Sequence, residues 1–126
     1  MKIKNLMLSV MLITAGLSAC KKENTDQEAL KAKAENVEIG TANNKRALRG
    51  RDFHFNADII AASKIKDVKM IISQKAGQTY TSSWKFELSW PEYVGAKNTN
   101  IHKHFTIPIA APEGTDDFAV IVQDEN

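Results

Sequence analysis

The spacing of apolar positions changes twice along the chain. An apolar run from Leu6 to Ala15 comes first. Residues 21–36, KKENTDQEALKAKAEN, then lose apolar periodicity in a dense mixture of charges. From Val37 onward, apolar residues return at every second position, the period of a strand with one buried face. Val37-Glu38-Ile39 is a short piece of this kind, ended by Gly40. Phe53, Phe55, Ala57 and Ile59 alternate with His54, Asn56, Asp58 and Ile60. Ile65 to Gln74 carries Val68, Met70 and Ile72 on one face, and Ala76-Gly77-Gln78 makes a turn. Trp84 to Trp90 alternates strictly until Pro91 stops it. Ile101 to Ile109 puts Ile101, Lys103, Phe105, Ile107 and Ile109 on one side, and Phe118 to Val122 is a last apolar strand.

Six short strands with turn residues between them, and no helical period after residue 36, predict an all-β fold. The expected architecture is an antiparallel immunoglobulin-like β-sandwich over residues 37–126, favoured over a small barrel. Such sandwiches normally have at least seven strands. Either the last strand is lacking and an edge is open, or a further strand lies at Thr79–Ser83.

The N-terminal run is too short to cross a bilayer, which takes ~20 residues. Lys2 and Lys4 before it and Leu17-Ser18-Ala19-Cys20 after it read as a secretory signal over residues 1–19. Leu-Ser-Ala-Cys resembles the bacterial lipobox, in which the thiol is acylated and the preceding peptide bond is cut. That resemblance implies a lipidated Cys20 held in a lipid bilayer, since two or more acyl chains anchor durably. Cys20 is the only cysteine, so no intramolecular disulfide can form. Residues 20–36 then read as the lipidated cysteine and a flexible tether, too polar to offset their ordering entropy. Lys21 and Lys22, with no aspartate beside the cysteine, favour the outer membrane of a Gram-negative envelope.

Charge narrows the partners. Lys2 and Lys4 are two of the 17 basic residues, and the remainder balance the 15 acidic ones. A chain without basic excess lacks the face that nucleic acid requires. No Gly-x-Ser-x-Gly elbow and no phosphate-binding glycine loop occurs. With Cys20 assigned to the anchor, the expectation is a protein that is not an enzyme. Trp84, Phe86, Leu88 and Trp90 read as core, with an exposed aromatic platform the less favoured alternative. Asp116-Asp117 and Asp124-Glu125 read as solvated turn charges rather than a calcium site.

The three histidines carry the chemical lead. His54, His102 and His104 all fall on the polar face of predicted strands. His102 and His104 are two apart, so their Cα atoms stand ~7 Å apart on one side. That spacing lets two imidazole nitrogens reach one ion at ~2.0–2.1 Å. In an immunoglobulin-like order the second and fifth strands are neighbours, which brings His54 to the same sheet. Imidazole suits zinc, copper or nickel, and Asp52, Asn56 or Asp58 could be a further ligand or an outer support. Against this, His54 and His102 each sit early in antiparallel strands, a placement that would hold them ~10–15 Å apart. The plainer alternative is three solvated surface histidines.

Several segments together resemble one family. Gly50-Arg51-Asp52-Phe53-His54-Phe55, Ile65-Lys66-Asp67-Val68, Asn98-Thr99-Asn100-Ile101-His102-Lys103-His104 and Ala111-Pro112-Glu113-Gly114 occur in that order. The chain looks like domain of unknown function 4625, found in anchored lipoproteins of Gram-negative bacteria. The resemblance implies an immunoglobulin-like sandwich outside the cytoplasm and no established activity. In that family further histidines often stand at the end of the third strand and in the last strand. Here those regions read Ile72-Ser73-Gln74 and Asp116-Asp117-Phe118. Two function classes follow as expectations: a membrane-anchored binding sandwich with zinc or copper on His54, His102 and His104, or a structural adaptor for an envelope protein partner.

Overall fold

A computed structural model describes residues 32–125. The signal of residues 1–19, Cys20 and the tether up to residue 31 lie outside the described residues. Six strands form: β1 (Lys33–Ile39), β2 (Asp52–Ile60), β3 (Ile65–Gln74), β4 (Lys85–Ser89), β5 (Asn98–Thr106) and β6 (Asp116–Asp124). One-turn 3-10 helices at Thr41–Asn43 and Pro91–Tyr93 are the only helical pieces among the described residues.

The strands make two antiparallel sheets, ordered β1-β2-β5 and β4-β3-β6. These correspond to strands A, B, E and C′, C, F of an immunoglobulin-type sandwich. Among the described residues the outer edge of β6 pairs with no strand, and residues 75–84 form a loop rather than an extra strand.

Alternation explains the core. Phe53, Phe55, Ala57 and Ile59 of β2 are buried against Ile65, Val68, Met70 and Ile72 of β3, with Trp90, Ile101 and Ile107 closing the layer. No charged or polar residue is buried among the described residues, so the core needs no internal polar network. Trp90 stacks on Phe55 at 6.0 Å between centroids and is a core residue, not a platform.

Two sequence expectations change. β1 begins at Lys33, inside the expected tether, because Lys33, Ala34 and Glu35 pair with Ile60, Ile59 and Asp58. A polar segment can hold an edge strand, where the neighbour supplies the hydrogen bonds. Ile109 leaves the apolar row, since β5 stops at Thr106 before Pro108, and Ile109 is 80% exposed. Lys103 stays in the row but places its ammonium 5.6 Å from the Trp90 ring centroid and 5.5 Å from that of Tyr93, paired with Glu92. Its stem covers apolar surface while its charge meets two aromatic faces and a carboxylate.

Candidate metal centre

Register decides whether the histidines meet. β2 and β5 pair with His54 opposite His104 and Asn56 opposite His102. The expected separation of 10–15 Å is therefore wrong, and the reason is local. β5 starts at Asn98 rather than Ile101, so His102 sits in mid-strand, and Asn98 to Thr106 lies along the whole of β2. Alternation then turns Ile101 inward and both β5 histidines outward.

The three rings form a tight triangle. Centroids lie 4.9 Å apart for His54–His102, 4.9 Å for His54–His104 and 5.2 Å for His102–His104. One nitrogen from each ring can be chosen so that all three lie within 4.8 Å of one another. His54 Nδ1 and His104 Nε2 face each other at 3.2 Å.

The other nitrogen of each ring has an acceptor. Asp52 Oδ2 lies 2.7 Å from His104 Nδ1, Asn56 Oδ1 lies 3.3 Å from His102 Nδ1, and Glu38 Oε2 lies 3.5 Å from His54 Nε2. Carboxylate and amide oxygens only accept, so a bound ion would be matched by the tautomers that carry their protons on these outer nitrogens. In those tautomers the lone pairs of His54 Nδ1, His104 Nε2 and His102 Nε2 are the ones available to a ligand. Without an ion, the 3.2 Å contact is a hydrogen bond in which one of these two nitrogens donates to the other, and a metal ion would take the place of that shared proton. Two nitrogens on a tetrahedral ion at 2.0–2.1 Å stand about 3.4 Å apart, close to that value. The widest spacing of 4.8 Å must close by about 1.4 Å, a ring rotation open to exposed histidines. His102 and His104 are exposed, which leaves a fourth coordination position to solvent.

Glu38 is the residue the sequence reading missed. Asn36 and Val37 together face the single residue Ala57, a bulge between the Glu35–Asp58 and Glu38–Asn56 pairs. Without that extra residue Glu38 would pair with Phe55 and its side chain would face the core. The bulge turns it onto the histidine face instead. Asn36 takes the left-handed conformation there (φ 50°) and donates to Asp58 Oδ2 at 2.8 Å. The position of Glu38 between Val37 and Ile39 was an outward signal, but its distance from His54 depends on the bulge.

Of the three supports expected from sequence, Asp52 and Asn56 meet the histidines. Asp58 does not: it is held by Asn36 and by Asn100 Nδ2 at 2.8 Å. Those bonds, Asn36 first, keep its carboxyl below the ordinary value of 3.8. A carboxyl whose folded pKa is depressed stabilises the fold above its unfolded pKa, and that contribution fades as pH falls through the folded one. Thermal stability of the chain should therefore drop more steeply below about pH 4 than that of Asp58→Asn. Melting curves between acidic and neutral pH check this, and parallel curves for the two chains would contradict it.

An all-β sandwich with a histidine triad on the outer face of its β1-β2-β5 sheet is the class that fold and site define. The family match is in keeping with that description. Residues 18–126 match the pattern of the domain of unknown function DUF4625, and the chain belongs to that family. No curated protein and no solved structure matches the chain.

Proposed function

We propose that this protein is a membrane-anchored, non-enzymatic lipoprotein that binds a transition metal, zinc or copper, through His54, His102 and His104. The lipid bilayer is reached through acylated Cys20, and the outer membrane of the cell envelope is the proposed location. One observation carries the metal reading: three imidazoles turn one nitrogen inward and give the other to Asp52, Asn56 or Glu38. Outer acceptors of this kind fix the tautomer and raise the basicity of the ligating nitrogen. A solvated histidine face has no need of such ordering.

Calorimetric titration of the chain with zinc and with copper tests the reading. Saturable heat at one ion per chain is expected, and none at all would end it. Asp52→Ala should weaken binding by about tenfold through the loss of the His104 acceptor. Unchanged affinity in that variant would remove Asp52 from the site. Protons compete for the same lone pairs, so binding should weaken on acidification.

A second reading, a structural adaptor for an envelope protein, is favoured by the edge of β6 that pairs with no strand among the described residues. Phe118, Val120 and Val122 are only half-buried, and beside them a groove of about 280 Å³ runs to Val37 and Ala34 of β1. An extended segment of a partner could add a strand there. In that case β6 amides should exchange slowly in the native envelope and fast in the purified chain. Equal exchange would remove the adaptor role.

A further inference from the structure

The cationic residues are not spread evenly. Lys45, Arg46, Arg49 and Arg51 fall within seven positions of a chain that is otherwise near balance. They rim a cleft of about 760 Å³ between loop 45–51 and loop 112–116, at the end of the sandwich where β2 begins. Its apolar wall includes Phe53, Trp84 and Phe118, and the Phe53 and Phe118 rings are 5.7 Å apart. The only acids in the lining are Glu113 and Asp116. Arg49 meets Glu113 at 3.3 Å across the rim, whereas Lys45, Arg46 and Arg51 make no ion pair among the described residues.

Both walls are held in place. Gly50 N donates to Ile107 O at 2.7 Å, and Ile107 N donates to Arg51 O at 3.0 Å, which fastens the cationic loop to the end of β5. On the other side the Tyr80 hydroxyl donates to Thr115 O and accepts from Lys75 N at 2.9 Å. A Cβ on Gly114 would overlap the Tyr80 ring, so glycine is what allows that loop to close over the tyrosine. Leu48, 70% exposed, lines the opening, and Ile109, 80% exposed, lies beside Gly50 of the cationic loop; they are the two most exposed large apolar residues described. A preformed cleft of this volume, with an apolar wall and a few convergent charges, has the character of a small-molecule site.

We propose that this cleft binds a single-chain anionic amphiphile. Its phosphate or carboxylate headgroup lies on Arg46 and Arg51, whose planar donors match such oxyanions. Its hydrocarbon lies along Phe53, Trp84 and Phe118, and Leu48 extends the apolar path at the opening. The charge complementarity selects an anion, and the aromatic wall selects one with an apolar body rather than a bare ion. The site shares no residue with the histidine triad, so either can fail without the other.

The test is a titration of the purified chain with dodecyl phosphate below its micellar concentration, read by tryptophan emission. A Trp84→Phe chain separates Trp84 from the buried Trp90. A saturable change that disappears in Trp84→Phe is expected. Arg46→Ala/Arg51→Ala, with an unaltered far-ultraviolet spectrum, should bind at least about tenfold more weakly. Inorganic phosphate and the neutral dodecyl maltoside, each supplying half of the ligand, should both bind more weakly by about the same factor or more. Equal binding of either half-probe, unchanged affinity in the arginine variant, or no response at Trp84 would overturn the proposal.

Discussion

A His102→Ala/His104→Ala chain should release no heat with zinc or copper at concentrations that saturate the unmodified protein. The double substitution leaves His54 as the one imidazole of the triad. Removing an outer-sphere partner alone typically costs 10–100-fold in affinity, so losing two direct ligands should cost at least about a hundredfold. The same loss should be visible in stability. A metal present at about 100 times its dissociation constant stabilises the folded chain by ~2.7 kcal/mol. For a domain of this size that raises the melting temperature by roughly 10–20 °C. Differential scanning calorimetry with and without metal reads it directly. The unmodified chain should shift and the double variant should not. A double variant that still shifts would place the metal elsewhere.

The second large effect lies beneath the site. Ile101 precedes His102 on β5 and is fully buried among β2 and β3 side chains, with 0% exposure. Ile101→Ala should destabilise the fold by about 2–5 kcal/mol, the range for deleting a large aliphatic side chain from a packed core. Ile109→Ala, eight positions further on in the same alternating row, should change stability by no more than about 0.5 kcal/mol because that side chain is in solvent. Denaturant unfolding of the two variants compares them. Similar losses would mean that β5 continues through Ile109. The Ile101 variant should also bind metal more weakly, because β5 carries both exposed histidines.

Much of this fold was legible because alternation is a local property. The inward rows of β2 and β3 follow from the period-2 spacing of Phe53 to Ile59 and of Val68 to Ile72. The neighbouring of the second and fifth strands followed from topology. Polar edge segments were not legible. Lys33 to Glu35 and Asn98 to Asn100 have little apolar content, yet both pair with the Asp58–Ile60 end of β2. Their hydrogen bonds come from the neighbouring strand, and that pairing leaves no periodic mark. The site suffered from the same gap. Its three histidines could be named from sequence, but their convergence rests on where β5 begins, and Glu38 joins them only through the Asn36–Val37 bulge. Asp58 looked equivalent to Asp52 as a support. Two asparagines distant in sequence, Asn36 and Asn100, hold it away from the imidazoles.

The histidine face also has a mechanical consequence. Its ligands stand on β2 and β5, and one outer acceptor stands on the edge strand β1. A bound ion would thus link two strands directly and a third through Glu38. The sheet would be held across its width at the level of Asn56. This coupling is why metal affinity and thermal stability should rise and fall together in the variants above.

The proposed metal centre stands or falls on three imidazoles sharing one ion. X-ray absorption spectroscopy of the zinc-loaded chain tests it most directly. Three nitrogen ligands at about 2.0 Å are expected, with the outer-shell scattering of imidazole rings and a light atom in the fourth position. A coordination shell of oxygen alone, or of a single imidazole, would contradict it.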